Sequence, residues 1–591
     1  MDKNTIIAIG LSTLVIIAGF TIQNTFFPPE PLPATNAISP ATTTPTNNVV
    51  TSIIDEPAIP SVSIISAPET ASEETTIEEI FVIETDLVKV AFTNRGGDII
   101  SYKIKGRTES QETVEMADFV TDKNRAFSLL LGDSNGTAID QLFSVKRISD
   151  TSIGFYRNIT VQNQDGSKGT FTLVKQYSFL PNDYMFELQI TVDGDSMFNG
   201  LQFGQSAYSI RTSPQIGPKW SGKQDNYEYR RFYHLLAGKK KTVNLKAGQT
   251  KLESGLITWA GVAGKYFTLI ALPQAPQTTI QSVLYSTISA DPSVSNAQMF
   301  LTRGPITSSR NTDIWRFYIG PRTEKTLSKY NVITNNPYSL SDNKIDQIVE
   351  SSGILGPLEV ILKILMEFFY SIVPNWGVSI ILLTILMRAV LFPLTKKSSE
   401  GTLKMQELQP KIKEIQDKYK DNPAKMNEEM AKFYKTAGYN PLSGCLPLLI
   451  QFPLIFAMYN LFNNYFEFRG AMFIPGWIPD LSKGDSIMQL ALTVPVVGWQ
   501  LTNLRLLPVI YVVSQLLYGK VTQTPGSAQQ NSQMKFMMYG MPLIFFFIFY
   551  DAPSGLLIYW IFSNVLTMIQ QVIINKLMHR KKQSGLKLVK K

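Results

Sequence analysis

The sequence predicts a multi-domain membrane protein. Its carboxy-terminal half should be an α-helical bundle, preceded by an all-β sandwich domain and carrying a charged helical hairpin. Three observations lead there. Long apolar runs occur at the amino terminus and after Leu355 but hardly between them. The stretch from Ile80 to Tyr330 instead shows short alternating runs separated by Gly, Asn and Asp turns, the pattern of a sandwich. Charge, finally, is segregated. No Lys or Arg lies between Lys3 and Lys89, ten lysines crowd Lys396–Lys435, and seven basic residues follow from Lys576 onward. That asymmetry is the positive-inside pattern and puts both basic segments in the cytoplasm. Nucleic acid is the weaker reading of the basic tail, and no DNA partner is expected.

The elements follow in order. Ile6–Ile22 is an apolar run that passes straight into Gln23 and Asn24 with no small-x-small cleavage site, so residues 1–24 are read as a retained anchor rather than a removed signal. Residues 25–79 are rich in Pro, Thr, Ser and Glu and cannot bury enough apolar surface to offset ordering, which makes them a disordered linker. The β domain spans 80–330. Residues 353–373 form an amphipathic, interfacial helix in which Lys363 and Glu367 are one turn apart. Spans are expected at 375–395, 441–463, 504–520, 535–551 and 554–575, with a basic tail at 576–591. Within the connecting segment 464–503, the apolar run Ile487–Trp499 is shorter than a span needs and is placed at the outer interface. Both termini are then cytoplasmic and the β domain is outside.

Residues 396–440 carry an a/d seam. Met405, Leu408, Ile412, Ile415 and Tyr419 are spaced 3, 4, 3, 4, and Met426, Met430, Phe433 and Ala437 repeat 4, 3, 4. Asn422-Pro423 supplies an N-cap and a first-turn proline, and Gly438 a stop. Two matched seams joined by a short turn predict an antiparallel coiled-coil hairpin. It is either a solvated charged element or a docking arm.

The span WGVSIILLTILMRAVLFPLT, Trp376 to Thr395, contains one charge, Arg388. A charge at that depth costs about 2.5–3.5 kcal/mol on insertion scales. Lys396 is eight residues on, so Arg388 should lie about 12 Å inside the helix end. Thr384 shares its helix face. Tyr559, Ser563, Thr567 and Gln570 or Gln571 form a second stripe flanked by Asn564; Tyr511, Gln515 and Tyr518 form a third; Gln451 is a lone amide. Polar groups in hydrocarbon pair with one another or face water. The stripes therefore fit a hydrated groove around Arg388, or interhelical hydrogen bonding without one.

Other signals are weak. Cys445, the single cysteine, is read as a packing residue. Two histidines and one cysteine cannot build a transition-metal site, and no nucleotide-binding fingerprint occurs, so no metal or cofactor is expected. Gly132–Gly136 fits a nucleophile-elbow pattern but reads as a turn. Lys239–Lys241 reads as a solvated loop.

Three long stretches, WGVSIILLTILMRAVLFPLTKKS, KMQELQPKIKEIQDKYKDNPAKMNEEMAKFYKTAGYNPLSGCLPLLIQFPLIFAMY and PSGLLIYWIFSNVLTMIQQ, resemble the YidC/Oxa family of membrane protein insertases. In addition FVIETDLVKVAFTNRGGDIISYKI looks like the start of the large periplasmic domain of the family's Gram-negative-type members. The resemblance implies an α-helical insertase core, a five-helix bundle plus the amino-terminal anchor helix, with an all-β periplasmic sandwich domain and a cytoplasmic helical hairpin, in the bacterial inner membrane. It further implies a substrate groove containing Arg388, open to cytoplasm and lipid, with Thr384, Gln451, Tyr511, Gln515, Tyr559, Ser563, Asn564 and Thr567 as its lining. A hydrophobic slide for the incoming helix is implied at 441–463 and 535–551, with Phe452, Met458, Phe545, Phe546 and Trp560 as its contacts. Trp560 stands where many relatives have tyrosine, and Phe452 where methionine is common. The implied partners are nascent membrane proteins, the Sec translocon, the phospholipid bilayer, and ribosomes and targeting factors through the 396–440 hairpin and the tail.

An insertase, not an enzyme, is the resulting expectation. A polytopic transporter would usually show ionisable residues in several spans or broken-helix repeats. A membrane-anchored carbohydrate-active module is the other rival, although no catalytic pair is found in the β domain.

Overall fold

The computed structural model describes residues 77–106, 113–162, 168–220, 228–291, 295–350, 353–438, 446–494, 499–522 and 539–589. The expected anchor 1–24, nearly all of the linker, Cys445 and the first part of the expected span 535–551 lie outside them.

Period-two sequences build the β domain. Lys168–Phe179 alternates buried and half-buried residues along its length, as a strand with one face on a core must. Strands Ile80–Glu84, Val88–Thr93, Asp98–Ile104 and Val114–Glu115 form a four-stranded antiparallel sheet, and the following strands to Pro321 form a sheet of thirteen. The two share one core, in which Phe92 meets Tyr177 (ring centroids 4.9 Å apart) and Phe127 meets Phe317 (4.7 Å). The domain does not end at Tyr330. Leu340, and Ile345 and Ile348 of the 3-10 turn that follows it, sit in the same core, and the buried Arg322 donates to the Ile348 carbonyl (2.9 Å) and the Tyr229 hydroxyl (2.8 Å). Such turns carry no strand period, which is why alternation ran out early. Lys239–Lys241 also departs from expectation: it lies in the strand Lys239–Val243, paired with Arg231–Leu236, because the turn Ala237-Gly238 just before it closes a hairpin.

His234 is buried on that hairpin, its Nδ1 3.1 Å from the Tyr285 hydroxyl. Burial holds its pKa below the ordinary value, with Glu253 opposing the shift. The unfolded chain therefore takes up this proton more readily than the folded one. The stability involved is present above the unfolded value, about 6.5, and is lost as pH falls through the lower folded value. The thermal midpoint of the β domain in the full chain should fall on acidification below about pH 6.5, with a slope of at most about 1.4 kcal/mol per pH unit from this group. His234→Gln should flatten that dependence; an unchanged pH profile would show that His234 does not contribute.

Seven helices follow among the described residues: α1 (Gly356–Ile372), α2 (Trp376–Lys418), α3 (Pro423–Thr436), α4 (Leu446–Asn464), α5 (Leu507–Thr522), α6 (Met541–Ile548) and α7 (Ser554–Val589). Helix α7 packs against α2, α4 and α5, and α1 packs against α2 and α4. Leu362 and Met366 bury one face of α1, while Glu359 and Glu367 accept from Asn460 (3.1 Å) and Tyr465 (2.9 Å) at the end of α4. Its opposite face leaves Ile361, Ile364 and Phe368 exposed.

Helix α2 is one helix through both the expected span 375–395 and the lysine-rich segment after it. A change from apolar to charged side chains at Lys396 does not interrupt backbone hydrogen bonding. Asn422 caps α3 by accepting from the Lys425 amide (3.1 Å), with Pro423 in the first turn. Along the seam, Ile412 is buried and Leu408, Ile415, Tyr419, Met426, Met430, Phe433 and Ala437 are partly covered. Helix α7 likewise runs on through most of the expected tail 576–591. In place of the expected 504–520 span, α5 begins at Leu507. The residues before it form a strand pair, Met488–Val494 with Trp499–Leu504.

The turn after α4 ties the helices to the β domain. Phe466 is buried in the β core against Phe267 (5.6 Å) and Tyr266 (6.3 Å), and Lys265 Nζ donates to Asn463 Oδ1 (3.0 Å).

Candidate functional site

Helix α2 starts at Asn375, whose side chain accepts from the Val378 amide (3.1 Å). From that start, four-residue spacing brings Ile380, Thr384 and Arg388 onto one face. Thr384 is buried and donates back to the Ile380 carbonyl (2.6 Å), so its hydroxyl proton is used within its own helix. Arg388 is partly buried and donates through Nη2 to Ser563 Oγ on α7. Its carbonyl accepts from Gln570 Nε2 (2.7 Å). This bond braces α2 next to Pro393, which lacks the N–H that would close the ladder onto Ala389.

The stripe on α7 continues this contact. Thr567 donates to the Ser563 carbonyl (2.7 Å), and Asn564 Nδ2 donates to Ser514 Oγ (3.0 Å) and Gln515 Oε1 (2.8 Å) on α5. Tyr511 lies against Trp560 (5.4 Å), and the buried Tyr559 is edge-on to Phe462 of α4 (5.7 Å). The polar stripes of α2, α5 and α7 thus meet around α7. The side chain of Gln451 lies outside the described residues. One participant, Ser514, was not singled out in the sequence reading. Ser514 bridges Asn564 to the Tyr511 carbonyl. Gln570 is buried, and its Oε1 has no hydrogen-bond partner among the described residues. The signal for Ser514 was its place beside Gln515; nothing in sequence marks an orphaned acceptor.

Charge is as distinctive as geometry here. Helices α4, α5, α6 and α7 contain no Asp or Glu anywhere in their sequences. The guanidinium therefore sits among hydroxyls, amides and aromatic rings, with no carboxylate supplied by those helices.

The expected slide residues divide. Phe452 is 45% exposed, but Met458 is fully buried in the helical core and cannot present a surface to an incoming helix in this state. Phe545 and Trp560 pack against that core, and Phe546 is half-covered. The outward face of α6 is instead Leu543 (58% exposed) and Phe547 (51%). Hydropathy marks all of these alike and does not say which face a helix turns inward.

Among the described residues, two helical stretches, Trp376–Gly401 and Ser554–Leu577, are long and apolar enough to cross a membrane. With a β domain joined to apolar helices around one cation, the class is a helical membrane protein bearing a large folded extramembrane domain. Two family models match, "60Kd inner membrane protein" over residues 368–582 and "YidC periplasmic domain" over 81–343. The membrane protein insertase YidC of Treponema denticola is 51% identical, covering 98% of this chain and 100% of the relative. That of Treponema pallidum is 43% identical over 98% and 100%. A crystal structure of an active YidC insertase with its first transmembrane domain resolved is 16% identical, covers 87% of this chain and 94% of that one, and superimposes with a TM-score of 0.34. The chain belongs to the YidC family of membrane protein insertases, inner-membrane proteins with a β-rich periplasmic domain and a helical carboxy-terminal region.

Proposed function

We propose that the chain inserts newly made membrane proteins through an intramembrane groove centred on Arg388. The observation that carries this reading is a cation on α2 that reaches Ser563 of α7, with no acidic residue in α4, α5, α6 or α7, beside a buried Gln570 acceptor with no partner among the described residues. Leaving such an acceptor unmatched costs about 1–3 kcal/mol. Water fills that role at rest, and a polar group of a substrate fills it in transit. Arg388 attracts acidic groups on the short polar tail of a nascent segment, and Ser563, Asn564, Gln515 and Thr567 replace part of the tail's hydration.

The apolar part of the segment then moves past the outer faces of α4 and α6, Phe452, Leu543 and Phe547 among them, into lipid. Its burial drives the step at roughly 25 cal/mol per Å², and no nucleotide is consumed. In this reading five spans plus the anchor cross the membrane, both termini are cytoplasmic, and the seam of α2 and α3 closes a hairpin that docks ribosomes and targeting factors. The chain acts alone or beside the Sec translocon. Site-specific crosslinking from Thr384, Arg388 and Tyr559 to a stalled nascent chain tests the groove.

A further inference from the structure

The β domain has no part in the groove mechanism, yet it is more than a tethered module. Domains joined by a linker move against each other unless a large or apolar interface holds them. Here one turn, between the strands Thr250–Ala263 and Phe267–Pro273, holds from two sides. On the first side Lys265 Nζ donates to Asn463 Oδ1 (3.0 Å), and Tyr266 and Phe267 pack on Phe466, which is buried in the β core. The end of α4 is thereby fixed, and Arg469 just beyond it lies over the Phe267 ring (5.1 Å). On the second side the Arg322 amide donates to the Tyr266 carbonyl (2.8 Å), and its Nη1 to the Gly264 carbonyl (3.2 Å). The same guanidinium holds the Ile348 carbonyl. Glu350 then accepts from Arg231 Nη1 and the Tyr233 hydroxyl (2.7 Å each), three residues before the turn Gly353–Leu355 that leads into α1.

The two attachments meet again in the helices, where Glu359 and Glu367 of α1 accept from Asn460 and Tyr465 at the end of α4. From Arg322 through Glu350 to α1, across to α4, and back through Asn463 to Lys265, the contacts close a ring. Pivoting of the β domain on its connection to α1 would have to pull Phe466 from the β core or part α1 from α4. The segment after Phe466 carries the constraint further. Its Phe468, Ile478 and Leu481 are buried in the helical core. Its Phe473 covers Gly377 in the first turn of α2, where a Cβ would lie 2.1 Å from the ring. The Leu481 and Lys483 carbonyls accept from the Gly555 (3.0 Å) and Ser554 (2.8 Å) amides that begin α7. Asp485 Oδ2 accepts from the Leu506 (2.8 Å) and Leu507 (3.0 Å) amides and so caps α5. One segment anchored in the β domain thus touches the near ends of α2, α5 and α7, the helices whose polar stripes meet around Arg388.

We propose that the β domain is a brace. With the turn 263–267 and Phe466 as its joint, it fixes the near ends of α1, α4, α5 and α7 relative to one another and holds their spacing while a substrate passes. The test uses the full chain with Cys445→Ser, reconstituted into phosphatidylcholine vesicles and carrying nitroxide pairs on new cysteines at exposed positions. One pair joins Leu256 of the β domain to Ile364 of α1, and another joins Leu256 to Val509 of α5. Pulsed dipolar spectroscopy should give a narrow distance distribution for both. Lys265→Ala combined with Phe466→Ala should broaden both at least twofold, whereas Phe466→Leu, which keeps an apolar anchor, should leave them narrow. A third pair within the β domain, Leu256 with the exposed Met197, should stay narrow throughout and reports that the domain is folded. Broad distributions for the first two pairs in the unsubstituted chain overturn the proposal, whether or not the double variant folds. Distributions that stay narrow in the double variant overturn it as well, because the joint would then not be what holds the domain. Neither readout involves Arg388, so failure of the brace and failure of the groove are told apart.

Discussion

Replacing Arg388 with alanine is expected to slow insertion of a segment with an acidic tail about tenfold, a difference of about 1.4 kcal/mol. Two unit charges 4 Å apart attract by about 4 kcal/mol at an effective dielectric of 20, and desolvation of the tail offsets part of that. The effect should depend on the substrate. Segments with neutral tails should lose little, because their driving force is apolar burial. Arg388→Lys separates charge from geometry. Lysine keeps the charge but cannot reproduce a planar fork reaching Ser563, so near-normal insertion by the lysine variant would assign the work to charge. Wild-type insertion by both variants, measured as protease protection of the translocated tail in proteoliposomes, would remove Arg388 from the mechanism.

The largest expected stability effect lies far from the groove. Lys175 and Asp98 are both fully buried in the β domain, 2.7 Å apart. Lys175 uses its three protons on Asp98 and on the Gly96 and Phe127 carbonyls (2.9 Å each). Asp98 also accepts from Arg125 Nε (3.1 Å) and Ser128 Oγ (2.8 Å). All three Lys175 protons are used and both Asp98 oxygens accept hydrogen bonds, which is what makes a buried pair tolerable. Asp98→Asn preserves shape but leaves two buried cations facing an amide, and should destabilise the β domain by about 3–5 kcal/mol. Its urea midpoint in the full chain, followed by limited proteolysis, should fall accordingly. The double change Asp98→Leu with Lys175→Met should cost less than the single one. A shift below about 1 kcal/mol for Asp98→Asn would mean that water reaches the cluster.

Much of this architecture was legible because it rests on local periods. The a/d seam around Ile412, the cap at Asn422 and the stripe Ser563, Thr567, Gln570 all follow from helical spacing, and Lys168–Phe179 from strand alternation. What was not legible was non-local or conformational. The Asp485 side chain caps a helix 22 residues further on, and no spacing rule reaches that far. Met458 and Phe547 are equally apolar, yet one is buried and the other exposed. The run Ile487–Trp499 was judged by its length against a membrane span, which hides a period of two beneath uniform hydropathy. Which stripes would touch, and through which atoms, depended on α7 lying between α2 and α5.

The groove itself is tested most directly by photocrosslinking in the full-length chain. A photoreactive residue is placed in turn at positions 384, 388 and 559, and at the outward α5 position Val513 as a control. A ribosome-stalled substrate is presented with its transmembrane segment just emerged. The groove reading requires adducts from 384, 388 and 559 that disappear when the substrate is released into lipid, with little from 513. Adducts from 513 alone, or from none of the three interior positions at any stalled length, would contradict it.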